Sequence, residues 1–120
     1  MTAEWWERSR AAETERAREL LRALVSELRH RGEAPAPLRA RAGTARYRTD
    51  VVGWYLRADG SLGVGEQGEY YVLDVAPSVR ARFRGVHLDP AEPPLQVGRG
   101  ARDGESVELA ELVRRRLANP

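Results

Sequence analysis

The apolar positions at the front of the chain repeat with the period of a helix. Ala17, Leu20, Leu21, Leu24, Val25 and Leu28 fall at i, i+3, i+4, i+7, i+8 and i+11, which lines one face of an α-helix. The pattern predicts one long helix over residues 3–31. Thr2 is placed to cap its start, and Gly32 follows its last turn, where a positive φ is favoured. Glu4, Glu7, Glu13 and Glu15 load its first half and Arg29 and Arg31 its end, as the helix dipole prefers. The pairs Glu4/Arg8 and Glu27/Arg31 add i,i+4 attraction. Trp5 and Trp6 sit near the face of Leu20, but residues 7–16 between them are almost wholly polar. The helix therefore has two apolar ends and a solvated middle.

After Gly32 the pattern lapses. Residues 32–44, GEAPAPLRARAGT, read as a linker in which Pro35 and Pro37 favour an extended path. Then the period becomes two. Ala45, Tyr47, Thr49 and Val51 alternate with Arg46, Arg48 and Asp50, the mark of a strand. VVGWYL continues it, with Gly53 expected as a bulge. Asp59-Gly60 signals a hairpin turn, Leu62–Val64 returns, residues 66–69 turn again, and Tyr70–Val75 is a third strand. Residues 76–85 fit either a strand, with Val79, Ala81 and Phe83 alternating with arginines, or a short helix ended by Gly85. The boundary signals favour the helix. Val86–Leu88 and Leu95–Val97 read as short strands. A final helix is expected from about Glu105 to Ala118, with Leu109, Leu112, Val113 and Leu117 as its apolar stripe. The expected fold is α+β: a long N-terminal helix, a small mostly antiparallel meander sheet, and a C-terminal helix packed on one face. The expected organisation is a helical arm over 1–31, the linker 32–44, and a small α+β domain over 45–120.

Composition narrows the chemistry. The chain of 120 residues is the size of one domain. It has no cysteine, which removes disulfides and thiolate chemistry. All 20 basic side chains are arginine, so no Schiff base or phosphate-loop lysine is available; GC-rich bacterial coding accounts for the bias. No apolar run approaches the ~18 residues of a membrane span. MTAEWWERSR carries acids where a signal peptide needs bases. The expectation is a cytoplasmic protein without membrane contact.

GVGEQG, residues 63–68, matches G-x-G-x-x-G. A dinucleotide site needs a helix after these glycines, and EYYVLDV reads as a strand instead. The glycines are expected only to turn the chain. GRGARDGES, residues 98–106, has strand, glycines and helix in the right order, so Gly98, Arg99, Gly100, Arg102 and Ser106 form a candidate anion or nucleotide site. Asp103 and Glu105 oppose an incoming anion there. His87 and Asp89 are spaced H-x-D, too few ligands for a metal. With no G-x-S-x-G elbow and no converging carboxylates, neither catalysis nor a cofactor is expected.

Two segments, Ala34–Thr49 and Val75–Leu88, contain no acid. Arg46, Tyr47 and Arg48 lie in one, and Arg80, Arg82 and Arg84 flank Phe83 in the other. Brought side by side they would form a positive face suited to nucleic acid. The long helix offers a different function. At 1.5 Å per residue about 29 residues reach ~44 Å, beyond the roughly 25–30 Å of the remaining domain. Trp5, Trp6, Leu20, Leu21, Leu24 and Leu28 are then expected to dock on a protein partner, with a homodimer as the default. That regulatory interaction module is the first expectation, and nucleic-acid binding is the alternative.

Overall fold

Helix α1 spans Ala3–His30 in the computed structural model, which describes residues 3–97 and 107–119. The helix stops because Gly32 takes φ 77°. The Gly32 N–H then donates to Arg29 O at 3.0 Å and the Glu33 N–H to Leu28 O at 3.0 Å, the paired bonds of a glycine-terminated helix. Its buried face is Thr14, Ala17, Leu21, Leu24, Val25 and Leu28. Fully burying such a leucine is worth about 1.5–3 kcal/mol, so this face, not helix propensity, anchors α1. From Ala3 to Glu13 all positions but Ser9 are exposed. The molecule is 49 Å long and 26 Å thick.

A four-stranded antiparallel sheet follows in the order β1 (Ala36–Ala42), β2 (Ala45–Tyr55), β3 (Leu62–Gly65) and β4 (Tyr70–Val72). Strand β1 lies in the segment expected to be a linker. Leu38, Ala40 and Ala42 are buried while Arg39 stays exposed, and the register shifts between Pro37 and Arg39. The prolines are accommodated at the strand start and at this irregularity. The sheet also closes on itself. Past β4 the chain reaches β1, where the Arg41 N–H donates to Leu73 O at 2.7 Å and the Val75 N–H to Arg41 O at 2.8 Å. Closure protects edges that would otherwise expose unpaired backbone groups.

Gly53 is not a bulge. It pairs regularly with Ala36 of β1 and Gly65 of β3. A Cβ there would collide with the Val64 carbonyl oxygen, so glycine is required by close strand approach. The 76–85 segment resolves as helix α2, Val79–Arg84. The C-terminal helix α3 begins at Leu109 and ends at Ala118, later than expected. Val107 and Glu108 form β6, which pairs with β5 (Gln96–Val97). With the Leu109 N–H donating to Leu95 O at 2.8 Å, those backbone groups are committed to the ladder before the helix starts.

The main core packs α1 and α3 against one side of the sheet through Leu21, Leu24, Trp54, Leu56, Val64 and Leu109. The Trp54 indole N–H donates to Glu33 O at 2.9 Å. Leu38, Val51 and Leu73 form a second cluster. Ala40, Ala42, Tyr47 and Ala81 form a third, which seats α2. No described helix is long and apolar enough to cross a membrane.

Candidate functional site

The register of β1 on β2 sets Arg39 opposite Arg48 and Arg41 opposite Arg46. Directly opposed residues of an antiparallel pair share a face, and like charges so placed repel. Neutralisation reaches one of the four. Arg41 is bound by Asp74 through Nε at 2.7 Å and one terminal nitrogen at 3.1 Å, and lies 3.7 Å from Asp59. Among the described residues the Arg46 guanidinium reaches the backbone oxygens of Gly43 and Ala45. Arg48 donates to Phe83 O at 2.9 Å. Among the described residues no carboxylate pairs with Arg39, Arg46 or Arg48.

Local sequence explains why α2 lies beside these strands. The Ser78 hydroxyl caps the helix, accepting from the Ala81 N–H at 3.1 Å. The Ser78 N–H donates to the hydroxyl of Tyr47 at 3.0 Å. Ala81 turns inward. Gly85, at φ 80°, brings the chain against the Arg48 backbone, where a Cβ would stand 3.0 Å from the carbonyl oxygen. The Val86 N–H then donates to that same oxygen at 2.7 Å. The two acid-free segments are therefore neighbours. Arg80, Arg82 and Arg84 are exposed, and no carboxylate among the described residues pairs with them. Phe83 is 73% exposed and Val79 77%. Tyr47 is buried, with its hydroxyl engaged at α2, so it positions the helix and offers no ring for stacking.

The face continues into a cleft of about 710 Å³ between α3 and the β2–β3 hairpin. Arg39, Arg46, Arg57, Arg115 and Arg116 line it, with Asp59 the one carboxylate among the described lining residues. Arg116 is steered by its Nε, which donates to Tyr55 O at 2.8 Å, and by Glu33. Burial works against ionisation of Asp59, but the Ser61 hydroxyl and N–H, then Arg41 and Arg57, outweigh it and hold its pKa below the ordinary value. Sequence reasoning missed this cleft. Its arginines are far apart in sequence, and Arg115 and Arg116 read as helix-end charges.

The other predicted sites fare differently. Leu21, Leu24 and Leu28 are 0–1% exposed, covered by the protein's own sheet and α3; Leu20 is partly buried. Leu21, Leu24 and Leu28 are core and not surface contacts, because Trp54, Leu56, Val64, Tyr70 and Leu109 pack with them. Trp5 and Trp6 remain exposed, 45% and 58%, with rings edge to face at 4.9 Å. The residues Gly98, Arg99, Gly100, Arg102 and Ser106 lie outside the described residues. In GVGEQG three turn donors are consumed internally. The Gly65 N–H donates to Glu69 O, the Gly68 N–H to Gly65 O, and the Gln67 N–H to the Glu69 carboxylate. An anion finds no cradle there.

His87 bridges two acids. One ring nitrogen contacts Asp50 and the other lies 2.9 Å from Asp89. Hydrogen bonds to Asp50 and then Asp89 raise the His87 pKa. The His87 contact, with the Leu88 N–H, lowers that of Asp50. The trio pins residues 87–89 to β2 and favours an imidazolium over a neutral metal ligand. Comparison with known protein families, with curated proteins and with solved structures gave no match, so the functional reading rests on the geometry of this arginine face.

Proposed function

We propose that the protein is a non-catalytic module that binds single-stranded nucleic acid across β1, β2 and α2. One observation carries the reading: α2 runs beside β2, where Arg48 donates to Phe83 O, so the two acid-free segments adjoin, and Arg46, Arg48, Arg80, Arg82 and Arg84 pair with no carboxylate among the described residues. Arg46, Arg48, Arg80, Arg82 and Arg84 supply charge, and exposed Phe83 among them supplies a stacking ring. Guanidinium groups meet phosphates through two parallel hydrogen bonds, and aromatic rings accept unpaired bases with little sequence preference. Single strands are favoured over duplexes because a single ring on a short helix has no base stack to enter.

The test is the anisotropy of a labelled oligonucleotide of about 20 nucleotides as salt rises from ~50 to ~200 mM. Five phosphate contacts predict a log–log slope of about −3 to −4. Arg80→Glu with Arg82→Glu should weaken binding at least tenfold. A flat salt response, or full binding by the double variant, rejects the reading.

A second reading, docking of a protein on the exposed first turns of α1, is favoured by the exposed pair Trp5 and Trp6. Tryptophan is a favoured interface anchor. The default occupant is a second copy of the chain, and light scattering on Trp5→Ala with Trp6→Ala tests it by the loss of dimer mass.

A further inference from the structure

The geometry points to the cleft between α3 and the β2–β3 hairpin as a pocket for a small polyphosphate, of the nucleoside di- or triphosphate class. Its volume, about 710 Å³, falls within the range of small-molecule sites. Its lining sets five guanidiniums against one carboxylate. That carboxylate is already committed: Asp59 accepts from Ser61, at 2.9 Å from the N–H and 2.6 Å from the hydroxyl, and faces Arg41 and Arg57. It therefore repels an incoming anion less than a free acid would.

The arginines divide by how firmly they are held. Arg116 is largely buried and fixed by Tyr55 O and Glu33, and one of its terminal nitrogens is buried with no hydrogen-bond partner among the described residues. Arg115 is braced by Glu111 at 3.2 Å. Arg39 has no carboxylate of its own, and Arg57 has Asp59 only at 3.7 Å. Arg116 forms a preformed wall, and Arg39 and Arg57 are available to close on phosphate oxygens. Tyr55, Leu56, Ala58 and Leu112 supply apolar surface beside the charges. A ligand with a ring at one end and clustered negative charge at the other fits both. A lone monoanion would meet only one of the two lining guanidiniums, Arg39 and Arg46, that pair with no carboxylate among the described residues.

This inference goes beyond nucleic-acid binding: the cleft shares Arg46 with the residues assigned to it, but Arg39, Arg57, Arg115 and Arg116 are not among them. The experiment is calorimetric titration of the full chain with adenosine triphosphate, inorganic pyrophosphate and uncharged adenosine at fixed ionic strength. Saturable binding of triphosphate, weaker binding of pyrophosphate and none of adenosine are expected. Arg39→Gln with Arg57→Gln should weaken triphosphate binding by about tenfold per arginine and leave the melting temperature in place, since both side chains are surface groups. Arg80→Glu with Arg82→Glu should leave it within twofold. Absence of saturable triphosphate binding overturns the inference. So does binding lost through the α2 pair and kept through the cleft pair, which would move the anion onto the nucleic-acid face. Loss of oligonucleotide binding with retained triphosphate binding would reject the proposed function and leave the pocket standing.

Discussion

On α1 and α3, arginines stand against acids. Arg22 meets Glu15 at 2.7 Å, Arg31 meets Glu27 at 3.0 Å, and Arg116 meets Glu33. Around β1, β2 and α2 the same side chain stands among backbone oxygens and solvent, with Arg41 the one paired to carboxylates among the described arginines there. Seven of the 20 arginines lie in the two acid-free segments, and none of the 18 acids does, which leaves 13 arginines facing 18 acids elsewhere. A net charge of +2 thus conceals two positive segments and a negative remainder of the sequence. The difference teaches that net charge is a poor guide to partners; what matters is whether each cation's counter-ion is supplied internally.

The comparison can be broken by moving stability and binding separately. Leu24 lies in the packed region, so Leu24→Ala should cost about 2–5 kcal/mol in chemical denaturation, while the molecules still folded bind oligonucleotide as before. If this variant loses binding without losing stability, α1 is a contact surface after all. At the other end, Phe83→Ala should weaken binding to single strands by about 1–3 kcal/mol and change stability by less than ~0.5 kcal/mol. A destabilised variant with unchanged affinity would show that Phe83 supports the fold.

The smallest effect concerns the boundary between the two regions, where His87 ties residues 87–89 to β2. Its folded pKa is raised above its unfolded value. The stabilisation is therefore fully present below the ordinary histidine value of about 6.5 and fades as pH rises through the folded value. Asp50 works in the opposite sense. Its depressed folded pKa gives stability above the ordinary aspartate value, lost as pH falls through the folded one. An NMR titration of the His87 ring should show the raised midpoint, and Asp50→Asn should return it toward normal. An unchanged midpoint in that variant would place the cause elsewhere.

Some of this was legible in residue order because it is local. The α1 stripe, the Gly32 stop, the alternation of β2 and the Asp59-Gly60 turn depend on near neighbours. The failures have equally definite causes. Strand β1 hid behind two prolines and alanines that carry little strand preference. Gly53 looked like a bulge because sequence does not show that Val64 lies across from it. The start of α3 was misplaced because β5 takes Val107 and Glu108 into a ladder. Among the candidate sites, the absence of acids from Ala34–Thr49 and Val75–Leu88 was visible, but their adjacency was not, nor was the burial of Tyr47.

The sequence by itself determined the periodicities, the lack of lysine and cysteine, and the separation of arginine from acid along the chain. Those are properties of neighbours and of composition. Only the tertiary structure decided that the leucine ridge of α1 is covered by its own sheet, that α2 rests beside β2, and that Arg39 and Arg116 line one cleft. Each of these depends on which distant surfaces bury apolar area together. That choice is made by the packing of the whole chain and is written in no single segment of it.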